Sequence, residues 1–195
     1  MARNRKQQIL EVATREFSNR GFDNVTVKEL AHACDITEPA IYRHYESKEA
    51  IYIAVLDSLE LRLDNEAIFR ELEKQKNPEK LLKSLSSHII AFFSKNDDIY
   101  RLLLYSTLKR HGRAKRVYDV IRGRYVEFLH RQLDRLYREK RIVRKNNEIT
   151  ARCFIGMVFD CAMSVTLWRG MQGKVYRPAD VVANNVPIYS RGLKR

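Results

Sequence analysis

Apolar positions recur at helical spacing along nearly the whole chain, and no stretch shows the strict alternation of a half-buried strand. The pattern therefore predicts an all-α fold without internal repeats. Gly21 is expected to end the first helix in a left-handed cap. The predicted helices are Arg3–Arg20, two short helices within Thr26–Lys48, Lys48 to about Arg70, Pro78 to the polar break SKNDD, Ile99–Lys109, Arg113 to about Arg141, Glu148 to about Trp168, and one from Pro178.

The stretch from Thr26 to Lys48 contains two short helix signatures with one sharp turn between them. Thr26 and Glu29 form a capping-box pattern that starts the first helix. Asp35 falls at the turn and is among the few residues that tolerate a left-handed conformation. Thr37 is expected to cap the second helix, and Pro39 is tolerated in its first turn. These signals predict a helix-turn-helix.

The second helix of this motif has two different faces. Ile41 and Tyr45 are four residues apart and should pack inward. The outward face mixes small, aromatic and hydrogen-bonding groups: Glu38, Pro39, Ala40, Tyr42, Arg43 and His44. A helix that enters a major groove needs such a mixture, since it must approach closely and also read base edges.

The run LAHACDITEPAIYRHYESKEAIY resembles the DNA-binding domain of the TetR (tetracycline-repressor-like) family of transcriptional regulators, together with the preceding Ile9, Val12, Ala13, Phe17, Gly21 and Phe22. Its most specific part is the tail from Ile41 to Lys48. Asp35 replaces the usual glycine of the turn, and Cys34 replaces a common alanine. The resemblance implies that Thr26, Tyr42, His44 and Lys48 touch DNA phosphates, which suits hydroxyl, imidazole and ammonium groups near helix ends.

Two domains are expected: a helix-turn-helix domain over residues 1–47 and a helical effector-binding and dimerisation domain over 48–195. Ser47 should cap the helix that begins at Lys48 and links the two domains. Gly123 lies inside the long helix after Arg113, where it weakens the helix and leaves room for a neighbour. Asn147 is expected to cap the next helix, and Pro187 to break or kink the last one.

The second domain contains an aromatic-rich set that is either ordinary core or, as the resemblance implies, the lining of a small-molecule pocket. Asp160 stands alone in an apolar helix and is the sharpest pocket candidate, because a buried carboxylate needs a partner; exposure at a helix bend or dimer rim is the alternative. The set comprises Phe92, Tyr100, Leu103, Leu104, Tyr105, Tyr125, Phe128, Phe154, Met157, Asp160 and Cys161.

The stretch from Cys153 to Leu167 is apolar on nearly all sides, so it needs covering by a partner chain as well as by its own core. This predicts a two-fold dimer built from the last two helices. The expected interface residues are Val158, Ala162, Val165, Val182 and Val186.

Composition narrows the class of protein. The 195 residues are 45% hydrophobic, enough for a core, and no apolar run reaches the roughly 18 residues of a membrane span. With no secretory signal, a cytoplasmic protein is expected, and its three unpaired cysteines fit reduced thiols. The net charge of +13 does not come from residues 1–50, which hold eight basic and eight acidic residues. Most of it, a net +10, comes from Thr107–Lys145, with fourteen basic and four acidic residues.

No catalytic or metal-binding constellation can be assembled from the scattered histidines and seven glycines, so neither an enzyme nor a cofactor is expected. The expected function is a homodimeric repressor, released from a palindromic double-stranded DNA operator by a small apolar or amphipathic effector. The basic surplus is explained by a solvated helix face, by attraction to DNA, or by an anionic headgroup on that effector. The alternatives are a DNA-binding or interaction module without effector control and, last, an enzyme on an all-α scaffold.

Overall fold

The computed structural model describes residues 5–63, 65–108, 112, 114–169, 171, 173, 174 and 176–194. These residues are helical without strands, so the predicted all-α fold is confirmed. The described residues form eleven α-helices and one π-helical segment: α1 (Arg5–Arg20), α2 (Val27–Ala33), α3 (Glu38–Tyr42), α4 (Lys48–Arg62), α5 (Glu66–Glu73), α6 (Pro78–Phe93), α7 (Asp97–Leu108), α8 (Ala114–Tyr118), the π segment Asp119–Gly123, α9 (Arg124–Arg138), α10 (Asn147–Val165) and α11 (Pro178–Leu193).

The chain divides into two compact units. The first combines Met1–Asp64 with Asp98–Ile121, and the second combines Asn65–Asp97 with Arg122–Arg195. These are packing units, and they divide the chain at other places than the functional division expected at residues 47 and 48. That functional division stays a prediction.

In the first unit α1 packs against α2 and α4. The inward positions Ile9, Ala13 and Phe17 are fully buried, as predicted, together with Val25. Gly21 has a φ of +80°, which confirms the left-handed cap. An added Cβ at Gly21 would lie 3.1 Å from the ring of Tyr105, so the position also demands a residue without a side chain.

The helix that starts at Lys48 is shorter than predicted. Ser47 caps it as expected, accepting from the backbone N–H of Ala50, but the helix ends at Arg62 rather than near Arg70. A new helix, α5, begins directly after Asn65. The side chain of Asn65 is buried and hydrogen-bonded to His88 and Tyr125, and it does not belong to a continuous helix. Apolar spacing alone did not reveal this break, because the pattern resumes on the far side of Asn65.

In the second unit α6, α9, α10 and α11 form the main core, with α5 against α6. Asn77 caps α6 by accepting from Glu79 and Lys80, and Pro78 opens the helix, as predicted. Phe93 rather than Phe92 is the buried aromatic at the end of α6.

The predicted long helix from Arg113 to Arg141 is interrupted by the π segment Asp119–Gly123, and Arg138 is its last residue. A π turn widens the helix by one residue, which spacing arguments based on 3.6 residues per turn do not detect. Gly123 lies at the end of this segment.

Two further expectations were wrong in detail. Asn146, not Asn147, caps α10 by accepting from the N–H of Ile149, and α10 ends at Val165 rather than Trp168. Pro187 does not break the last helix, since α11 runs from Pro178 through Leu193, and the alternative of a kink at Pro187 stays a prediction. The beginning of the first predicted helix at Arg3, the helix end at Lys109 to His111, and Gly170 in the predicted loop lie outside the described residues.

Candidate nucleic-acid interface

The start of α2 is fixed by the predicted capping box. The Thr26 hydroxyl accepts from the N–H of Glu29 at 3.2 Å, and the Glu29 carboxylate accepts from the N–H of Thr26 at 2.7 Å. The same hydroxyl also donates to the Glu29 carboxylate at 2.8 Å. Thr26 therefore has its donors engaged within the motif before any DNA is present.

Arg20, at the end of α1, reinforces this cap. Its guanidinium donates to Glu29 at 2.6 Å and to the backbone oxygen of Asn24 at 2.7 Å. Asn24 returns a bond from its amide to the backbone oxygen of Arg20 at 2.8 Å. The hydrogen bond from Arg20, with those from Thr26, lowers the pKa of Glu29 to about 2. The loop between α1 and α2 is thus tied at both ends.

The turn between α2 and α3 has the predicted geometry. Asp35 has a φ of +55°, in the left-handed region. The side-chain amide of Gln8 in α1 donates to the backbone oxygen of Cys34 at 3.0 Å, which holds the end of α2 against α1. The turn is therefore defined by α1 as well as by its own residues.

Thr37 stands at the cap position of α3, but its hydroxyl makes no capping hydrogen bond, contrary to the prediction. The helix is only five residues long and is held instead by its inward face. Ile41 is fully buried, Tyr45 is 7% exposed, and the Tyr45 hydroxyl reaches the backbone oxygen of Lys6 at 3.4 Å. The Thr37 hydroxyl is left available on the surface.

The outward face of α3 and the turn after it present unengaged polar groups. Tyr42 is 50% exposed, and Thr37, Pro39, Arg43 and His44 are exposed as well. Glu38 and Ala40 are half-buried at its edges. Within the part of the chain that the structure describes, no hydrogen bond or ion pair engages the side chains of Thr37, Tyr42, Arg43 or His44. This contrasts with the closed network at Thr26, Arg20 and Glu29.

Lys48 has a structural role that the sequence did not reveal. Its ammonium donates to the backbone oxygens of Phe22 and Val25, each at 3.0 Å, and lies 4.3 Å from the centroid of the Phe22 ring. An ammonium has three donors, so one remains for a phosphate.

The expected pocket residues are distributed over both compact units. The first unit contains Tyr100 and Leu103, which are buried, and Leu104 and Tyr105, which are half-buried. In the second unit, Tyr125, Phe128, Phe154 and Cys161 are buried, and Phe92 and Met157 are half-buried. Asp160 is exposed, so the interpretation of it as a buried carboxylate is wrong.

The expected dimer residues face the interior of their own protomer. Val158, Ala162, Val182 and Val186 are each at most 4% exposed, because α10 packs against α6, α9 and α11. Only Val165 is half-buried. The apolar residues that α10 and α11 turn outward are Ile149, 57% exposed, and Ile188, 63% exposed.

Arg20, Asn24, Gln8 and Asn65 were missed by sequence analysis. For Asn65 the sequence did contain a helix-start signal, since Asn65 directly precedes Glu66, the first residue of α5, as Asn77 precedes the first residue of α6. Among the described residues no group of three potential metal ligands is found. In that same part of the chain, every helix is too short or too polar to span a bilayer.

Comparison with known proteins agrees with this geometry. Residues 9–55 match the family model described as "Bacterial regulatory proteins, tetR family". The nucleoid occlusion factor SlmA of Glaesserella parasuis is 31% identical over 100 residues, which are 51% of this chain and 49% of that protein. The chain thus matches about half the length of this relative. SlmA of Aliivibrio fischeri is 26% identical over 165 residues, 80% of either chain.

Solved structures share the fold. A Clostridium perfringens protein described as a fatty acid metabolism regulator has a TM-score of 0.76 at 18% identity, over 96% of this chain and 99% of that one. FadR from Bacillus subtilis, in complex with stearoyl-CoA, has a TM-score of 0.73 at 14% identity, over 96% and 98%. AibR, in complex with isovaleryl coenzyme A and operator DNA, has a TM-score of 0.69 at 20% identity, over 95% and 97%.

The fold and the helix-turn-helix surface define a DNA-binding transcriptional regulator. Residues 9–55 match the DNA-binding domain of the TetR family, which confirms the resemblance carried by Leu30–Tyr52.

Proposed function

We propose that the chain is a repressor that binds a palindromic operator as a homodimer and is released by a small amphipathic effector. The observation that carries the DNA-binding part is the contrast within the motif. Arg20, Thr26 and Glu29 are engaged with one another, whereas Thr37, Tyr42, Arg43 and His44 are exposed and unengaged on one surface.

On this surface Arg43 reads a base edge, because its guanidinium fork matches the O6 and N7 acceptors of guanine. Pro39 and Ala40 allow close approach to the groove, with Glu38 at its edge. Thr26, Thr37, Tyr42, His44 and Lys48 contact phosphates and fix the register. The N–H and the hydroxyl of Thr26 already donate to Glu29, so Thr26 reaches a phosphate only by giving up one of these bonds, and its contribution is smaller than that of Thr37.

Two recognition helices need a fixed separation, which a two-fold dimer provides. The outward side chains Ile149 on α10 and Ile188 on α11 are the apolar groups that such a contact would cover. Half-sites are then expected about 34 to 36 Å apart, or at a multiple of that distance. The domain over residues 48–195 supplies dimerisation and effector binding, and 1–47 supplies DNA binding.

Support for a small-molecule effector comes from proteins of the same fold. FadR is described with stearoyl-CoA and AibR with isovaleryl coenzyme A, both anionic acyl compounds. The basic surplus between Thr107 and Lys145 suits an anionic group of this kind. The effector releases DNA only if it binds the DNA-free form better. A hundredfold preference corresponds to about 2.7 kcal/mol.

The experiment is selection of operator fragments by the purified chain, followed by titration of the complex with neutral and anionic acyl amphiphiles. Enrichment of one palindrome that Arg43→Ala no longer enriches is expected. Selection of random fragments by the unaltered chain would refute a sequence-specific repressor.

A second candidate function is DNA binding without effector control. The relatives named nucleoid occlusion factor SlmA favour it, since that name describes no small-molecule response. Under this alternative the selected operator stays bound at every concentration of every amphiphile tested, while the free chain shows no change in its melting temperature.

A further inference from the structure

The core of the second unit contains a buried side-chain amide in which one polar atom has no hydrogen-bond partner among the described residues. Asn65 is 2% exposed, and its Oδ1 accepts from the Tyr125 hydroxyl at 2.9 Å. The same oxygen lies 3.0 Å from Nε2 of His88. The amide nitrogen of Asn65 is buried without a hydrogen-bond partner among the described residues.

This arrangement is costly for the protein alone. A buried donor without an acceptor has lost its hydrogen bond to water and gained none in return, which destabilises the fold. Rotating the amide by 180° would exchange its oxygen and nitrogen and still leave one of them unpaired. Such groups are rare in native cores and call for an explanation.

The neighbours of Asn65 keep this amide in place as a donor. Burial raises the pKa of Tyr125, so the hydroxyl keeps its proton and donates to Oδ1. Burial lowers the pKa of His88, so the ring is neutral at pH 7 and brings no competing charge. In the His88 tautomer that carries its proton on Nε2, Oδ1 accepts from both side chains and the Nδ2 hydrogens are directed away from them.

The surroundings of the trio are aromatic. The ring of Tyr125 lies 5.8 Å from that of Phe69 and 6.1 Å from that of Phe159. Phe69 stacks on Phe128 with the centroids 4.2 Å apart. An apolar lining with a few convergent polar groups is the usual composition of a small-molecule site.

Phe69 is half-buried and reaches the surface. It lines an open groove of about 340 Å³ between α5 and α9, together with Glu66, Arg70 and Arg124. The groove thus reaches the ring that packs edge-on against Tyr125.

We propose that Asn65 is the head-group anchor of the effector site, and that its Nδ2 donates to a carbonyl or carboxylate oxygen of an amphipathic ligand whose apolar chain lies among Phe69, Tyr125 and Phe128. This inference rests on the proposed function and specifies the ligand chemistry. Asn65 is also the first residue of the second unit and follows α4 after two intervening residues. A ligand held by Asn65 therefore immobilises the chain directly after α4.

The test uses two probes of equal chain length and opposite head-group chemistry, dodecanoate and dodecylamine, titrated calorimetrically into the free full-length chain below their micelle concentrations. Asn65→Leu is expected to weaken dodecanoate binding about tenfold or more, the loss typical of a hydrogen bond to a charged group. Its effect on dodecylamine is expected to be small.

Asn65→Asp is the more discriminating variant. One carboxylate oxygen still accepts from Tyr125 and His88, and the other replaces the unpaired Nδ2 donor with an acceptor. It should weaken dodecanoate binding and strengthen dodecylamine binding, which inverts the preference of the unaltered chain. A purely structural role for Asn65 would change both affinities by the same factor.

A direct readout is the side-chain ¹⁵N–¹H₂ resonance of Asn65, assigned by its loss in Asn65→Asp, which should move on addition of dodecanoate. No binding of dodecanoate to the unaltered chain, or equal effects of either variant on both probes, would overturn the proposal. Because these measurements contain no DNA, they are separate from the proposed repression. If dodecanoate binds in a way that depends on Asn65 but operator affinity does not change, effector release is refuted and the anchor role of Asn65 is not.

Discussion

The Arg20 guanidinium lies 2.6 Å from the Glu29 carboxylate and so connects the last turn of α1 to the first turn of α2. Because Glu29 also closes the capping box with Thr26, one carboxylate serves a helix cap and an ion pair at once. The position of α2, and through the Asp35 turn that of α3, depends on this junction. We therefore expect some substitutions in the motif to change mainly the stability of the fold, and others at nearby residues to change mainly the affinity for DNA.

The two threonines of the motif provide a matched pair. Thr26→Ala removes a cap and should cost about 1 kcal/mol of unfolding free energy, within a usual range of about 0.5 to 2 kcal/mol. Thr37→Ala removes a hydroxyl that caps nothing, so the melting temperature should hardly change while operator affinity falls. Thermal melts and DNA titrations of both variants check this. A loss of stability in Thr37→Ala equal to that of Thr26→Ala would contradict the assignment.

The pKa of Glu29 gives a pH dependence with a definite sign. Its folded value of about 2 lies below the ordinary 4.5, so its contribution to stability is present above pH 4.5 and is lost as the pH falls toward 2. A ¹³C titration of the Glu29 carboxyl should show the low midpoint directly. Arg20→Gln should move that midpoint toward 4.5, since the bond from Arg20 is its largest cause.

Arg43 and Lys48 should differ in what their loss changes. Arg43→Ala should leave the melting temperature unaltered and relax base preference at one position of each half-site, by about 1 to 3 kcal/mol. Lys48→Met should weaken binding to all sequences and reduce its salt dependence. It should also destabilise the fold by about 1 to 3 kcal/mol, because the carbonyls of Phe22 and Val25 lose a charged donor. Operator titrations at two salt concentrations, with random DNA as the control, separate these effects.

The adjacent asparagines at the start of α10 should respond oppositely to the same substitution. Asn146→Asp keeps the capping oxygen and adds a favourable charge at a helix N-terminus, so stability should be unchanged or slightly higher. Asn147→Asp replaces a donor to Asp134, now at 2.8 Å, by a second carboxylate. Asn147→Asp should therefore lower the stability of the fold at neutral pH, and the lost stability should return as the pH is lowered. Denaturant unfolding at pH 7 and pH 5 tests the contrast.

Substitutions at two glycines test how the backbone conformation and the space around a position affect stability. Gly21→Ala should destabilise, because alanine is strained at a φ of +80° and its Cβ would press on the Tyr105 ring. Gly192→Ala lies in α11 with no heavy atom within 4 Å of the added carbon, so it should stabilise by up to about 1 kcal/mol. Equal shifts of the two melting temperatures would argue against this explanation.

Most local signals in the sequence predicted local structure correctly, with the caps expected at Thr37 and Asn147 as exceptions. The capping box at Thr26, the left-handed Asp35, the Ser47 cap and the Asn77-Pro78 start all depend on residues within four positions of each other, and all are confirmed. The same is true of the outward face of α3, because a short helix with one buried face leaves the other exposed.

Features that depend on distant partners were missed. The break at Asn65 exists because His88 and Tyr125 bind its side chain from 23 and 60 residues away. The role of Lys48 depends on carbonyls of the preceding loop. The inward orientation of Val158 and Val186 depends on three neighbouring helices that spacing within one helix does not reveal.

The left-handed Asp35 has a consequence for recognising such motifs. The conformation costs an ordinary residue about 1 to 2 kcal/mol, and less for aspartate, while glycine avoids the strain but loses more chain entropy on folding. The two effects nearly cancel, so exchange between aspartate and glycine here is close to neutral for selection. What persists at this position is the handedness of the backbone, and a search that demands one residue type would overlook functional members that differ only there.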